Sequence, residues 1–149
     1  MVAKGNSSSR KCVTLITGAN GEVGQGLIHQ LCAMADRPEV VVLDRRQVDG
    51  TIRRMVDGAF TGDILDTELL DSLASEYEFD TIFHLAALLS THAELHPETA
   101  HQVNVQGTIN LLKLATEQGR SRGQPVKFIY PSSIAVYGLP DLQTKRRAG

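Results

Sequence analysis

A chain of 149 residues is one ordinary domain in size and long enough to bury a core. With 42% hydrophobic and 21% charged residues it has the composition of a globular protein, and a net charge of −2 gives no electrostatic case for nucleic acid or an anionic membrane. No apolar run approaches the roughly 18 residues of a membrane span. Residues 1–10 are polar, with Gly5 and Ser7-Ser8-Ser9, and read as a disordered leader without the apolar core of a secretory signal. The expectation is cytoplasmic. Cys12 and Cys32 fall at apolar positions of a strand and a helix. They read as small buried hydrophobes in a reducing compartment rather than a disulfide or metal pair.

Cys12 to Ile16 is an apolar run broken by Thr14, the pattern of a short buried strand. Gly18, Gly21 and Gly24 follow as Thr-Gly-x-x-Gly-x-x-Gly, and then Val23, Leu27, Leu31 and Met34 recur at helical spacing. Strand, glycine turn and helix is the context in which such glycines cradle a pyrophosphate. Gly18 permits the turn, Gly21 lets backbone approach the phosphates, and Gly24 allows close packing of the helix start. Free N–H groups and the helix dipole favour the phosphate charge. Glu39 to Asp44 reads as a second strand. Its terminal Asp44 stands at the spacing from the glycines expected of a carboxylate that binds an adenosine ribose. This unit predicts a dinucleotide site for NAD. No Gly-Lys-Ser/Thr follows the glycines, which excludes a Walker loop. Arg45 and Arg46 are either solvated loop charge or a hold for a ribose 2′-phosphate, as NADP would need. Asp44 weighs for NAD.

Further along, Val56 to Phe60 reads as a weak third strand, followed by Gly62-Asp63-Ile64. Thr67 is the expected N-cap of a helix with Leu69, Leu70, Leu73 and Ala74 as its apolar stripe, closed by Glu76-Tyr77-Glu78. Thr81 to Leu85 is the fourth strand. Pro97 opens a long helix through Gln118 that Gly119 stops, and Lys127 to Tyr130 is the fifth strand, ending at Pro131-Ser132-Ser133. Alternating strands and helices predict an α/β fold, a doubly wound, Rossmann-like parallel sheet in the order 3-2-1-4-5. Ligands on such a sheet sit at the carboxyl ends of the strands, where Gly18 to Gly24, Asp44, Asp63-Ile64, Ala86-Ala87 and Ser132-Ser133 converge.

Four stretches resemble the extended short-chain dehydrogenase/reductases, the NAD-dependent epimerase/dehydratases. They are Thr17-Gly18-Ala19-Asn20-Gly21-Glu22-Val23-Gly24, His84-Leu85-Ala86-Ala87, Asn104-Val105-Gln106-Gly107-Thr108, and Pro131-Ser132-Ser133-Ile134-Ala135-Val136-Tyr137-Gly138. They stand in the family's order and span about Lys11 to Gly138, so residues 11–138 are expected to be the NAD-binding domain. The resemblance implies that Gly18, Asn20, Gly21, Glu22, Val23 and Gly24 contact the cofactor. It puts Asp63 and Ile64 beside the adenine, and Leu85, Ala86 and Ala87 along the path to the nicotinamide ribose. It implies that Asn104 anchors either the segment after Ala87 or the active site. It makes Ser132 a cofactor contact and Ser133 the catalytic serine that hydrogen-bonds the substrate's reacting oxygen. A plain strand-end turn is the other reading of the two serines. Tyr137 is read as a substrate-pocket residue.

The family's acid–base pair is a Tyr-x-x-x-Lys. Four residues beyond Tyr77, Tyr130 and Tyr137 stand Thr81, Ile134 and Asp141, so no tyrosine has the lysine. Residues 139–149 read as a polar loop, with the catalytic helix and substrate domain expected beyond it and this portion inactive alone. Two enzyme readings follow from the resemblance: an epimerase or dehydratase of a sugar nucleotide, and an L-threonine dehydrogenase. A non-catalytic NAD-sensing module is a third. His92, His96 and His101 lack a His-Glu-x-x-His pattern, and no metal site is expected. In the expected long helix, Val103, Leu111, Leu114 and Ala115 can cover the sheet while Val105, Ile109 and Leu112 form a second stripe. The family pairs such a helix across a two-fold axis, which implies a homodimer for the full-length protein.

Overall fold

The computed structural model describes residues 11–138, with Gln143 and Arg146 beyond them. Residues 1–10, and the rest of 139–149, lie outside the described residues, and so do the expectations of a leader and a terminal loop.

Five strands, β1 (Lys11–Thr17), β2 (Val40–Asp44), β3 (Gly58–Thr61), β4 (Tyr77–His84) and β5 (Lys127–Ile129), form one sheet in the order β3-β2-β1-β4-β5. All four pairings are parallel. This is the doubly wound sheet that the alternating pattern predicts. The apolar runs divide between two faces with the strand period of two. Val13, Leu15, Val41, Leu43 and Phe79 join one core with Leu70, Leu73, Leu111 and Leu114. Ile16, Val40 and Val42 join the other with Ile28 and Ile52. The register between β1 and β4 slips by one residue between Val13 and Thr14. Asp80 is thereby the bulged residue, and it accepts a hydrogen bond from the Thr14 hydroxyl at 3.5 Å.

The first helix, α1 (Glu22–Cys32), buries Gly24 and Ile28. Its apolar face is turned from the expected one: Leu27 and Leu31 are half-buried, while Val23 and Met34 are 67% and 52% exposed. The cause is Gly24, which sits against the backbone of Gly18 and Ala19 and so fixes which face meets the sheet. A short helix absent from the sequence reading, α2 (Gly50–Met55), is capped by Asp49, whose carboxylate accepts from the N–H groups of Thr51 and Ile52. It occupies residues up to Met55 and delays β3 to Gly58. The N-cap of α3 (Thr67–Glu76) is Asp66, not Thr67. The Asp66 carboxylate reaches the Leu69 N–H at 3.0 Å. Tyr77, expected to close that helix, instead begins β4.

The expected long helix is interrupted. A short α4 (Ser90–Leu95) precedes α5 (Pro97–His101), a π-turn runs from Gln102 to Gly107, and α6 (Thr108–Arg122) follows. The stop is Gly123, in left-handed conformation at φ 68°, and not Gly119. Val103, Leu111, Leu114 and Ala115 are buried as expected, and Val105, Ile109 and Leu112 remain 39–44% exposed. Cys12 is exposed rather than buried, because it lies at the open N-terminal end of β1, with the Arg122 guanidinium near its sulfur. Cys32 is half-buried and its thiol donates to the Met55 carbonyl. Among the described residues no helix is long and apolar enough to cross a membrane, and no group of three or more His, Cys, Asp or Glu is placed to hold a metal.

Candidate functional site

The carboxyl ends of β1, β2, β3 and β4 open into one cavity of about 500 Å³, a size that suits a cofactor or small ligand. Its walls include Gly18, Gly21, Asp44, Arg45, Asp63, Ile64, Leu85, Ala86 and Ala87. These come from four separate stretches of sequence. Leu43, Arg46, Gly62, Leu88, Leu89 and Val103 complete the lining. Arg46 is the residue read above as loop charge or a 2′-phosphate hold; the other five carry no polar side chain, which is why sequence reasoning leaves their part in the site unread.

The glycine turn is built by backbone contact. Gly18 has φ +75°, and a Cβ there would lie 2.7 Å from the Ala86 nitrogen. The turn is therefore pressed onto the loop that leaves β4, and no other residue fits. Gly21 precedes α1 as its N-cap with extended backbone. The first N–H groups of α1 have no intrahelical partner and the helix dipole is positive there. Glu22 and Val23 lead the helix and Gly24 follows as its inner face.

At the end of β2, both carboxylate oxygens of Asp44 are held. Oδ2 accepts the Asn20 N–H at 2.9 Å and Oδ1 accepts the Arg46 N–H at 2.9 Å. The Asn20 side chain also donates to the Arg46 carbonyl at 2.8 Å. Asn20 is thus a strut between the glycine turn and the loop after β2. Each Asp44 oxygen keeps acceptor capacity for a further donor from the cavity. Arg45 turns its guanidinium toward Asp63, with Nε 3.4 Å from Oδ2. The other Asp63 oxygen accepts the Leu65 N–H at 3.0 Å. Ile64 is fixed from behind. Its side chain packs where a Cβ on Gly107 would have to sit, and its carbonyl accepts from the buried Asn110 amide at 3.2 Å.

On the far side, Asn104 grips the backbone of Leu88, accepting its N–H at 2.8 Å and donating to its carbonyl at 3.0 Å. Asn104 thus holds the segment after Ala87 from inside the π-turn, a helix irregularity frequent at functional sites. Ser132 and Ser133 follow β5 as exposed residues, and the Ser133 carbonyl accepts the Val136 N–H at 3.1 Å. That bond opens a single 3-10 turn over Ile134–Tyr137, in which Tyr137 is 87% exposed. The two serines and Tyr137 lie at the sheet's carboxyl side but are not among the cavity's walls.

The NAD-dependent epimerase/dehydratase family matches residues 14–148. An uncharacterised epimerase/dehydratase of Staphylococcus saprophyticus is 32% identical over 125 residues, which cover 83% of this chain and 37% of that protein. The L-threonine dehydrogenase of Clostridium difficile is 36% identical with a TM-score of 0.68, over 85% of this chain and 38% of that one. A UDP-glucose 4-epimerase is 25% identical with a TM-score of 0.70, over 87% of this chain and 38% of the other. This chain thus spans well under half the length of these relatives. With a match across nearly all of the described residues, and a glycine turn, a carboxylate held by backbone N–H groups and a parallel sheet arranged around one cavity, this chain belongs to the NAD-dependent epimerase/dehydratase family.

Proposed function

We propose that the chain is the NAD-binding portion of an enzyme that works by hydride transfer on a sugar nucleotide. The observation that carries this reading is Asp44. Its carboxylate is fixed by two backbone N–H groups at the edge of the cavity, where it can accept hydrogen bonds from a ribose diol. The glycine turn and the start of α1 suit a pyrophosphate. The apolar wall of Leu43, Ile64 and Val103 suits a flat base. Bound there, NAD would supply the hydride acceptor. The chain's own residues bind it, orient it and exclude water from one side of it. In this reading Ser133 hydrogen-bonds the substrate's reacting oxygen, Ser132 touches the cofactor and Tyr137 belongs to the substrate pocket. No tyrosine has a lysine four residues on, so the reading assigns this portion cofactor binding without turnover of its own.

A second reading, an L-threonine dehydrogenase-like oxidoreductase, is favoured by one observation. The Clostridium difficile threonine dehydrogenase is 36% identical over 85% of the chain, against 25% for the sugar epimerase. Both readings share the cofactor and differ in substrate. A non-catalytic NAD-sensing module would keep Asp44 and the glycines and need no serine.

Calorimetry with NAD and NADP tests the cofactor assignment. NAD should bind more tightly than NADP. Asp44→Ala should weaken NAD by about 1.5–3 kcal/mol, roughly 10- to 150-fold, and NADP little. Tighter NADP than NAD binding in the unaltered chain would overturn the assignment and promote Arg45 and Arg46 to a phosphate clamp.

A further inference from the structure

We propose that His84 is a positioning residue for the nicotinamide end of the cofactor site, a neutral imidazole that locks the loop leaving β4 between the glycine turn and the π-turn. The proposal rests on the NAD reading above. The sheet order places Asp44 at β2, the glycine turn at β1, and Leu85–Leu88 after β4. A dinucleotide with one ribose at Asp44 and its pyrophosphate at the turn presents its second nucleoside to that last loop.

His84 is fully buried at the end of β4. Its Nδ1 lies 2.8 Å from the Thr17 hydroxyl and its Nε2 lies 2.9 Å from the Thr108 hydroxyl. The partners decide the tautomer. The Thr108 hydroxyl sits 2.7 Å from the Asn104 carbonyl, which can only accept, so its proton is committed there. Nε2 therefore carries the ring proton and donates it to the Thr108 oxygen. Nδ1 is then an acceptor for the Thr17 hydroxyl. The Thr17 oxygen in turn accepts the Ala86 N–H at 3.3 Å. The ring's other neighbours are Tyr130, stacked at 5.3 Å between centroids, and Phe128 at 6.0 Å. None of these partners is a carboxylate that would hold a second proton, and burial pushes the imidazole pKa down to about 4.

The resulting chain of donors runs one way on each side of the ring. Ala86 N–H bonds Thr17, Thr17 bonds His84, His84 bonds Thr108, and Thr108 bonds Asn104. Asn104 then grips Leu88 at both its N–H and its carbonyl. The loop is thus held at Ala86 from the strand side and at Leu88 from the π-turn side, with His84 joining the two holds. Polar networks of this kind are rigid when every member is satisfied and fail together when one is removed.

The test is calorimetry on this chain with two probes, NAD and ADP. ADP engages the ribose carboxylate and the glycine turn but has no nicotinamide. Thr17→Val and Thr108→Val keep the side-chain shape and delete the hydroxyl. Each should weaken NAD binding by about 5- to 30-fold, the effect of one or two lost hydrogen bonds, while ADP affinity stays within twofold. Thr108→Ser should restore NAD affinity to within threefold. Equal losses for NAD and ADP, or no loss for NAD, would overturn the proposal and leave the NAD reading standing. An unaltered chain that binds neither probe would overturn the NAD reading and the proposal with it. Nitrogen NMR of the unaltered chain supplies a second measurement should the valine variants not fold. A single slowly exchanging proton on Nε2 is expected, and a proton on Nδ1 or an averaged pair of tautomers would also overturn the proposal.

Discussion

Arg45 illustrates how a neighbour decides what a charge can do. Beside Asp44 it could serve a 2′-phosphate, but its guanidinium faces Asp63 at 3.4 Å. A pair with the arginine 62% exposed holds weakly, about 0–1 kcal/mol. Asp63→Asn removes the negative charge and keeps an acceptor for the Leu65 N–H. The ratio of NADP to NAD affinity should then rise, by about two- to fivefold on that scale, with NAD still preferred while Asp44 remains. Calorimetry with both nucleotides reads it, and an unchanged ratio would show that Arg45 is not restrained by Asp63. His84 acts instead through the lack of any charge beside it. Its folded pKa lies near 4, below the ordinary 6.5, so below pH 6.5 the unfolded chain binds the proton first. Stability from this residue is full above pH 6.5 and is lost as pH falls toward 4, on the order of 3 kcal/mol in all. Urea titrations between pH 7 and 4 should show that slope in the unaltered chain and a flatter one in His84→Asn.

At the scale of the elements, what the sequence made legible was what repeats. The runs at Val13–Ile16 and Val40–Leu43 announce buried strands because they are buried on both faces. The glycine turn shows because its three glycines are regularly spaced, and at Gly18 and Gly24 backbone contact leaves no room for a side chain. The π-turn does not show, since Gln102–Gly107 has the composition of any helix and only packing of Gly107 on Ile64 and the Asn104 grip on Leu88 distinguish it. Short α2 carries one buried residue, Ile52, too little for a period. The exchange of Thr67 for Asp66 as the cap is a contest between adjacent acceptors that only geometry settles. Gln118 is a further case. It looks like a surface residue of α6, yet it is 6% exposed. Its side-chain oxygen accepts the Phe79 N–H at 2.7 Å, and its amide donates to the carbonyls of Ala74 and Tyr77 at 3.1 and 2.8 Å. It thereby lets α3 pass into β4 with no loop. Gln118→Ala should cost about 2–3 kcal/mol, most of it from the Phe79 N–H left buried without an acceptor. Gln118→Glu keeps that acceptor but turns a buried carboxylate oxygen onto the Ala74 and Tyr77 carbonyls, so it should cost at least as much. A smaller cost for Gln118→Glu than for Gln118→Ala in denaturant titration would show that the Phe79 N–H alone carries the stabilisation.

For the whole molecule, the open question is what meets the outer face of α6 and the π-turn. Val103, Leu111, Leu114 and Ala115 are used up in covering the sheet. Val105, Ile109 and Leu112 form a second stripe that is 42%, 39% and 44% exposed, so the broad apolar surface of this helix is not all core. Their spacing of four and three puts them on one side of the helix. Scattered single apolar residues on a surface call for no explanation, but an aligned row of them invites association. The row is flanked by Lys113, Glu117 and Arg120, which gives a charged border to an apolar centre, the layout of a contact surface. The chain is therefore expected to self-associate through this face in sedimentation experiments at high concentration. Ile109→Lys places a charge at the middle of the stripe, where desolvating it in an interface is costly, and leaves the buried face untouched. It should shift the chain toward monomer without lowering its melting temperature appreciably. A clean monomer before the substitution, or an association that Ile109→Lys does not move, would show that this face makes no partner contact.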